Sequence, residues 1–293
     1  MIVYIVLHYI SYDMTYECVE SLLRIINAEN SHIVIVDNGS PNNSGLELEE
    51  TFKNNCLVDV IHLSPNEGFA RGNNAGYVYA KLNYTPDFIV LVSNDVIISD
   101  SNFEKKILEI YNETGFFVLG PDIVMNKNKS HQSPIKDNPI DYESAIRLQK
   151  RLAVSLKFYP VCFVYSNLMY HLKNAVKKLI GYNSSKNSMD KTVVHENVVL
   201  HGACTIFSKK YISIEDEALD SRTYLYMEED ILYQKCKNKN YRIVYNPQLS
   251  VLHMDDVDTD MIYRSGYKKT KAKMLEQYKS IKVLIEVLKS TSE

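Results

Sequence analysis

Between Asp216 and His253 the chain runs Tyr226-Met227-Glu228-Glu229-Asp230-Ile231-Leu232, three consecutive carboxylates set between large apolar residues. Packed side by side, like charges raise one another's pKa. A partly desolvated carboxylate with a raised pKa can take the proton of a substrate hydroxyl. The same residues also suit a solvated helix start, where acids meet the positive end of the helix dipole. On the cluster alone both readings stand, and the choice depends on what the upstream segments place beside it.

Upstream, apolar strand patterns alternate with helical ones from Ile2 to Leu119, the signature of an α/β layered fold with a mainly parallel sheet. Strands are expected at Ile2–Leu7, Ile33–Val36, Val58–Leu63, Phe88–Val92 and Phe116–Leu119. The first four run into polar segments: Tyr12-Asp13, Asp37-Asn38-Gly39-Ser40, Asn66-Glu67-Gly68 and Ser93-Asn94-Asp95. In open parallel sheets ligands bind outside the carboxyl ends of the strands, so four such segments on one edge describe a binding site.

Within that edge, Asp37 follows a buried strand and opens an Asn-Gly turn, where its carboxylate can accept hydrogen bonds from a base or ribose. Gly68, Gly72 and Gly76 are four apart and share one helical face, which lets either a ligand or another backbone come close. Arg71, at the start of that helix, suits an anionic group such as a diphosphate. The block is neither a Walker loop nor a GxGxxG fingerprint, which removes the main support for ATPase and dehydrogenase readings.

Composition excludes other classes. Net charge is −3, against the basic excess of a general nucleic-acid binder. The five cysteines, Cys18, Cys56, Cys162, Cys204 and Cys236, are scattered and show no CxxC spacing, which fits buried thiols in a reducing compartment. Met1–Leu7 is apolar but lacks the basic leader and cleavage site of a signal peptide, and reads as a first strand. The longest apolar stretch, Phe158–Tyr165, contains Pro160 and is far short of a bilayer span. The expectation is a soluble, cytoplasmic protein that can lie against the inner face of the cell membrane.

Residues 126–196 break the α/β pattern. Leu148, Leu152 and Leu156 recur every four residues, and Leu168, Leu172, Val176 and Leu179 nearly so, interleaved with Lys150, Arg151, Lys157, Lys173, Lys177 and Lys178. A cationic amphipathic helix of this kind suits an anionic lipid surface, or a helical hairpin packed on its own domain or on a dimer partner. Asn183–Ser188 is a low-complexity loop. Met274, Tyr278, Ile281, Ile285 and Leu288 then mark one long C-terminal amphipathic helix that docks on the body, pairs with another chain or rests on lipid.

Taken together, these motifs resemble a family 2 glycosyltransferase of the GT-A fold, in the rhamnosyltransferase-like branch of bacterial cell-surface polysaccharide transferases. The resemblance covers Ile2 to about Met125 and Val199–His253. It rests on Ile35–Ser40, on Asn66–Asn74, on Ser93-Asn94-Asp95-Val96, on His201-Gly202-Ala203-Cys204 and on Tyr226-Met227-Glu228-Glu229 as the family's Tyr-x-Glu-Asp element. It implies a nucleotide-sugar-binding half at 1–125, the helical cationic insert at 126–196, an acceptor and catalytic half at 197–258 and the C-terminal helix at 259–293.

Residue by residue, the resemblance implies that Asp37 binds the donor nucleoside, with Asn38, Asn66, Gly68, Arg71, Asn74 and Asn94 also on the donor side. Asp95 and His253 would hold Mg²⁺ or Mn²⁺ on the diphosphate. Glu229 stands in the place of the catalytic base, with Glu228 beside it and Asp230 as a rival. Tyr226, Arg242 and His201 are read as packing or acceptor-side residues. Two departures from the family pattern are Ser93 where an acid is usual, and Glu229 where aspartate is commoner.

The implied activity is an inverting, metal-dependent hexosyl- or deoxyhexosyltransferase that moves a sugar from a UDP- or dTDP-sugar to a saccharide or polyprenyl-linked acceptor. Peripheral membrane contact and a homodimer are the further partnerships considered, and nucleic acid is excluded. Ser93 motivates the alternative, a catalytically inactive transferase-like module that binds nucleotide or glycan.

Overall fold

The structure is a computed structural model that describes residues 1–137, 139–165, 189–254 and 266–290. Strands β1 (Ile2–His8), β2 (Ser31–Asp37), β3 (Val58–His62) and β4 (Phe88–Ser93) lie parallel in the order β3-β2-β1-β4. Helices α1 (Tyr12–Leu23), α2 (Ser44–Phe52) and α3 (Gly68–Asn83) connect them. The central strands are almost wholly buried because helices cover both faces, which is why they read as continuous apolar runs. Alternation sorts their side chains. Tyr4 and Val6 face a layer containing Leu22 of α1 and Phe52 of α2, whereas Val3 and Ile5 face Tyr77 and Ala80 of α3.

Beyond β4 the sheet becomes mixed. Strand β8 (Cys204–Ser208) is inserted antiparallel between β4 and β6 (Val118–Met125), and β9 (Ile243–His253) returns parallel to β6. The two-residue strands β5 (Val96–Ile97) and β7 (His195–Glu196) each add antiparallel to β9. Among the described residues this makes one nine-stranded sheet, whose longest pairings are parallel. Helices α4 (Phe103–Thr114), α6 (Lys209–Ile212) and α7 (Glu228–Asn238) complete the layers. The expected strand at Phe116–Leu119 starts at Val118 and runs on to Met125, past the Gly120-Pro121 pair that masks it in the sequence.

Helix α5 (Tyr142–Lys157) opens on Asp141, whose carboxylate accepts the Ser144 N–H at 2.7 Å. It buries Ala145 and Leu152 against Ile281, Leu284, Ile285 and Leu288 of α8 (Gly266–Lys289) and Ile231 of α7. Of the placements open to the C-terminal helix, the structure therefore shows docking on the body, with α5 as its main partner. Leu168, Leu172, Val176, Leu179, Lys173, Lys177, Lys178 and the Asn183–Ser188 run lie outside the described residues.

The glycine face of α3 packs on strands. A Cβ on Gly72 would stand 2.6 Å from Leu7 Cδ1, and one on Gly76 would stand 2.3 Å from Ile5 Cγ2 and 2.8 Å from Val36 Cγ2. Gly72 and Gly76 thus let α3 lie close on β1 and β2, the backbone alternative to ligand approach. Gly76→Ala should consequently destabilise the fold by about 1–3 kcal/mol through overpacking, despite alanine's better helix propensity. The urea midpoint measures this, and an unchanged midpoint would mean that α3 can lift off β1 at no cost.

Candidate active site

The sheet register brings Asp95 to His253. His253, at the end of β9, pairs with Val96 of β5 on one side and Met125 of β6 on the other. Asp95 immediately precedes β5, and its carbonyl accepts the Met254 N–H at 2.8 Å. The result is a His253 Nε2 to Asp95 Oδ2 distance of 3.0 Å. On its other side, His253 Nδ1 lies 2.7 Å from Gln132 Oε1. That oxygen can only accept, so Nδ1 carries the proton.

With Nδ1 so committed, Nε2 faces a carboxylate oxygen either as an N–H donor or as a lone pair sharing a cation with it. Asp95 Oδ1 is buried without a hydrogen-bond partner. One carboxylate and one imidazole oriented by a carbonyl form a donor set that fits a divalent cation, as the resemblance implies. Among the described residues no group of three or more His, Cys, Asp and Glu could hold a metal, so a cation there would draw its remaining ligands from substrate and water. Gln132 is absent from the expected site because it sits in a polar stretch with no motif around it.

The three acids occupy the first turn of α7 and meet different fates. Asp230 forms an ion pair with Lys136 at 2.7 Å. Glu228 is buried, and desolvation, followed by the charge of Glu229, pushes its pKa up to about 8. Glu229 is half-buried; desolvation raises its pKa, Asp230 adds to the rise, and a hydrogen bond from the Gly202 N–H opposes it. A Cβ at Gly202 would come within 2.9 Å of Glu229 Oε1, so glycine is what admits the carboxylate.

Gly202 belongs to the same short segment that touches the Asp95–His253 pair. Ser93 N–H donates to the Ala203 carbonyl at 2.8 Å, which ties that segment to the end of β4. The His201 ring packs edge-on to His253, with centroids 5.7 Å apart, and its Nδ1 accepts the Ala203 N–H at 3.2 Å. Burial, then the neighbouring His253, brings the His201 pKa down to about 4, so its ring is neutral. His201 therefore packs on the Asp95–His253 pair next to Gly202, whose N–H meets the Glu229 carboxylate. Arg242, by contrast, pairs with Glu196 and the Thr114 carbonyl at the surface.

On the opposite flank, Asp37 is buried, accepts the Ser40 N–H at 3.1 Å and meets His62 Nδ1 at 3.2 Å. Asn38 bridges to the third strand end, donating to the Gly68 carbonyl at 2.9 Å and accepting the Glu67 N–H at 2.9 Å. A buried relay spans the floor between the two flanks. Asn94 donates to Thr15 Oγ1 at 3.2 Å, Thr15 meets His8 Nδ1 at 2.6 Å, and His8 Nε2 meets Ser44 Oγ at 2.8 Å. Burial lowers the His8 pKa to about 4 and keeps that ring neutral. His8 has no sequence signal beyond its position as the last residue of β1.

Four of the residues expected on the donor side also tie the chain to itself. Both amide atoms of Asn74 are used on the backbone of Leu219, at 2.8 and 3.0 Å. Arg71 donates to the Ser221 carbonyl at 2.8 Å and to Glu67 at 3.0 Å. Asn66 accepts from the Gly68 N–H at 2.8 Å and the Tyr224 hydroxyl at 3.1 Å. At Gly68, φ is +80° and a Cβ would meet the Tyr224 carbonyl at 2.3 Å, while Phe69 N–H donates to that same carbonyl at 2.7 Å. The start of α3 thus holds residues 219–224, the loop that leads into the acids.

Two openings flank the centre. One of about 270 Å³ is lined by Met14, Glu17, Asn94, Asp95, Ile97, Asn126 and Met254. The other, beside Glu228 and Glu229 and walled by Phe69, Leu200 and Gly202, measures only about 20 Å³, room for a single water. Just ahead of the acids, Tyr226 and Met227 have φ of 74° and 71°, consecutive left-handed residues that are not glycine. Strain of this kind marks a turn held by its surroundings. The hold comes from α8: Ser280 Oγ donates to the Leu225 carbonyl at 2.9 Å, and the Lys273 ammonium sits 5.5 Å above the Tyr226 ring.

The state of Glu228 predicts a pH signature. Its folded pKa of about 8 exceeds the ordinary value of 4.5, so the folded chain retains a proton that the unfolded chain releases. Stability from this group is full below about 4.5 and declines as pH rises toward 8. Glu228→Gln keeps the shape and removes the titration, so its melting temperature should gain on the wild type between pH 5 and pH 8. A constant difference across that range would show that Glu228 ionises freely in the folded protein.

Comparison with known proteins places the chain in a family and a fold. Residues 4–211 match the family model for Glycosyl transferase family 2, a span that includes Asp37, Asp95 and Gly202 and ends before Glu229 and His253. Glycosyltransferase GlyG of Streptococcus pneumoniae serotype 4 is 30% identical over 104 residues, covering 36% of this chain and 33% of that protein. The S. aureus TarS 1–349 structure in complex with UDP superposes with a TM-score of 0.54 at 14% identity, over 89% of this chain and 62% of that one. TarS 1–349 in complex with UDP-GlcNAc gives 0.54 at 12% identity, over 87% and 58%. This chain thus spans about a third of GlyG and about three-fifths of the TarS structures, with which it shares the GT-A fold. With a family match over well more than half its length, the chain belongs to glycosyl transferase family 2.

Proposed function

We propose that the chain is an inverting glycosyltransferase that moves a sugar from a nucleoside-diphosphate donor to a hydroxyl of a saccharide or lipid-linked saccharide. The observation that carries this reading is Glu229. Its pKa is raised, the Gly202 N–H holds its carboxylate, and one residue away His201 packs on the Asp95–His253 pair. The complexes of TarS with UDP and with UDP-GlcNAc support a uridine diphosphate donor.

In the proposed step the acceptor oxygen attacks the anomeric carbon, the bond from that carbon to the diphosphate oxygen breaks, and its electron pair leaves with the diphosphate. Glu229 takes the acceptor proton as the new bond forms, and a single displacement inverts the centre. Asp37 and Asn38, at the end of β2, lie on the nucleoside side. Asp95 and His253 would hold Mg²⁺ or Mn²⁺. Bound there, the cation supplies charge stabilisation to the leaving diphosphate. Because the Glu229 crevice admits only a water, an acceptor hydroxyl reaches the carboxylate through movement of Phe69 or the strained Tyr226–Met227 turn.

Glu229→Gln should lower the transfer rate by about 10²–10⁴-fold, the usual range for a lost general base, with donor affinity unchanged. Stopped transfer assays with UDP- and dTDP-sugars in Mn²⁺, alongside calorimetric titration of the donor, measure both quantities. Turnover unchanged in Glu229→Gln would remove the base assignment. No transfer or donor hydrolysis from any sugar nucleotide, with nucleotide still bound, would leave the inactive binding module. Asp95→Ala should in turn abolish any stimulation by Mn²⁺, and persistence of that stimulation would place the cation elsewhere.

A further inference from the structure

The last turns of α5 and the helical residues 159–165 that follow it carry exposed apolar side chains. Val154 lies four residues before Phe158, and Val161 and Tyr165 are four apart on one side of the helical segment beyond it. The chain stays helical from 159 to 165 after a turn at Phe158. Each of the four exposes more than half of its surface, as does Val164 beside them. The stripe is not a misplaced core face, because α5 already has one. Ala145 and Leu152 are buried against α8, and the Tyr159 hydroxyl donates to the Tyr267 carbonyl at 2.8 Å with the two rings 4.8 Å apart.

Charge surrounds the stripe with one sign. Residues 142–165 carry Arg147, Lys150, Arg151 and Lys157 against the single acid Glu143. At the start of α8, Tyr267 packs on Tyr159, Lys271 stands 5.9 Å over the same ring, and Lys268 and Lys269 follow Tyr267 in the chain. The whole chain is net −3, so this cationic face is a local concentration against the overall sign. Exposed apolar side chains on a segment rich in lysine and arginine, with Lys157 5.6 Å over the Phe158 ring, match an anionic bilayer surface, where the apolar groups enter the headgroup boundary and the cations meet the lipid phosphates. A second copy fits less well, since a two-fold contact would set this positive face against itself. Among the described residues no helix is long and apolar enough to cross a membrane, so contact through this face is peripheral.

We infer that the Val154–Tyr165 stripe and its cationic surround dock the protein on an anionic lipid surface. This inference is independent of the proposed chemistry, because binding is read on vesicles without donor or acceptor. Flotation of the full chain with vesicles of phosphatidylcholine alone, or with phosphatidylglycerol included, is the test. Binding should require phosphatidylglycerol and weaken as salt rises. The doubly substituted Phe158→Ser, Val161→Ser protein should lose about tenfold or more of its partitioning while keeping the wild-type melting temperature, as both side chains are already exposed. In a separate protein, Lys150→Glu with Lys157→Glu should also weaken binding, by removing positive charge. Binding that ignores phosphatidylglycerol, or that the apolar double substitution leaves unchanged, would overturn the inference. So would concentration-dependent self-association that the same substitution abolishes, since the stripe would then serve a second copy.

Discussion

Three carboxylates in a row at one helix start cannot all be ionised and buried, because each removes water from its neighbours while adding like charge. The structure resolves this by giving each acid different company. Lys136 neutralises Asp230, the Gly202 N–H holds Glu229, and Glu228 is left in an apolar crevice where its proton is retained. The middle acid is the one left both partly accessible and raised in pKa, the condition a proton acceptor needs. Spread along a solvated helix the same three residues would repel weakly and do nothing. What singles out Glu229 is the arrangement around it, from a strand, a loop and a preceding turn that are separate in the chain.

That arrangement follows from sheet register. Between Pro121 and Asp122 the pairing of β6 with β9 slips, so that Asn246 is matched before the break and Ser250 after it. Pro247 lies in the bypassed stretch, where its missing N–H leaves no ladder bond unmade. The slip sets where β9 ends, and so brings His253 level with Val96 and its imidazole onto Asp95. A two-residue strand as short as β5 has little pairing energy of its own. The Met254 N–H bond to the Asp95 carbonyl and the Asn126 N–H bond to the His253 carbonyl, both 2.8 Å, fasten this corner.

The parallel half of the fold was legible because its physics is local: buried strands are continuous apolar runs, and β1 to β4 fall within a few residues of expectation. Asp95 with His253 was also anticipated, though only through resemblance, since nothing local in either residue predicts a contact across 158 positions. The antiparallel insertion of β8 was not legible, because a five-residue strand, Cys204–Ser208, carries no information on its direction. The backbone contacts of Arg71 and Asn74 were not legible for a related reason. Polar residues at a helix start suit an anion and a loop carbonyl equally well, and here the Ser221 and Leu219 backbones took them. Gln132, Lys136 and His8 went unseen because their roles exist only once distant partners arrive.

The family match ends at residue 211, ahead of the acids, β9 and α8. The long C-terminal helix does two things at once. Its apolar face receives α5, and its polar groups grip the turn ahead of the acids through Ser280 on Leu225, Lys273 above Tyr226, and Glu286 on Arg222 at 3.1 Å. Two consecutive left-handed residues would relax if released, so the position of Glu229 is conditional on α8 staying docked. The same helix joins α5 in forming the cationic outer face. A force on that face, such as adsorption to a charged surface, therefore acts on an element in direct contact with the turn that carries the proposed base. The coupling needs no long path: one packed helix separates the two, and a helix packed along its length moves as a rigid body rather than bending locally.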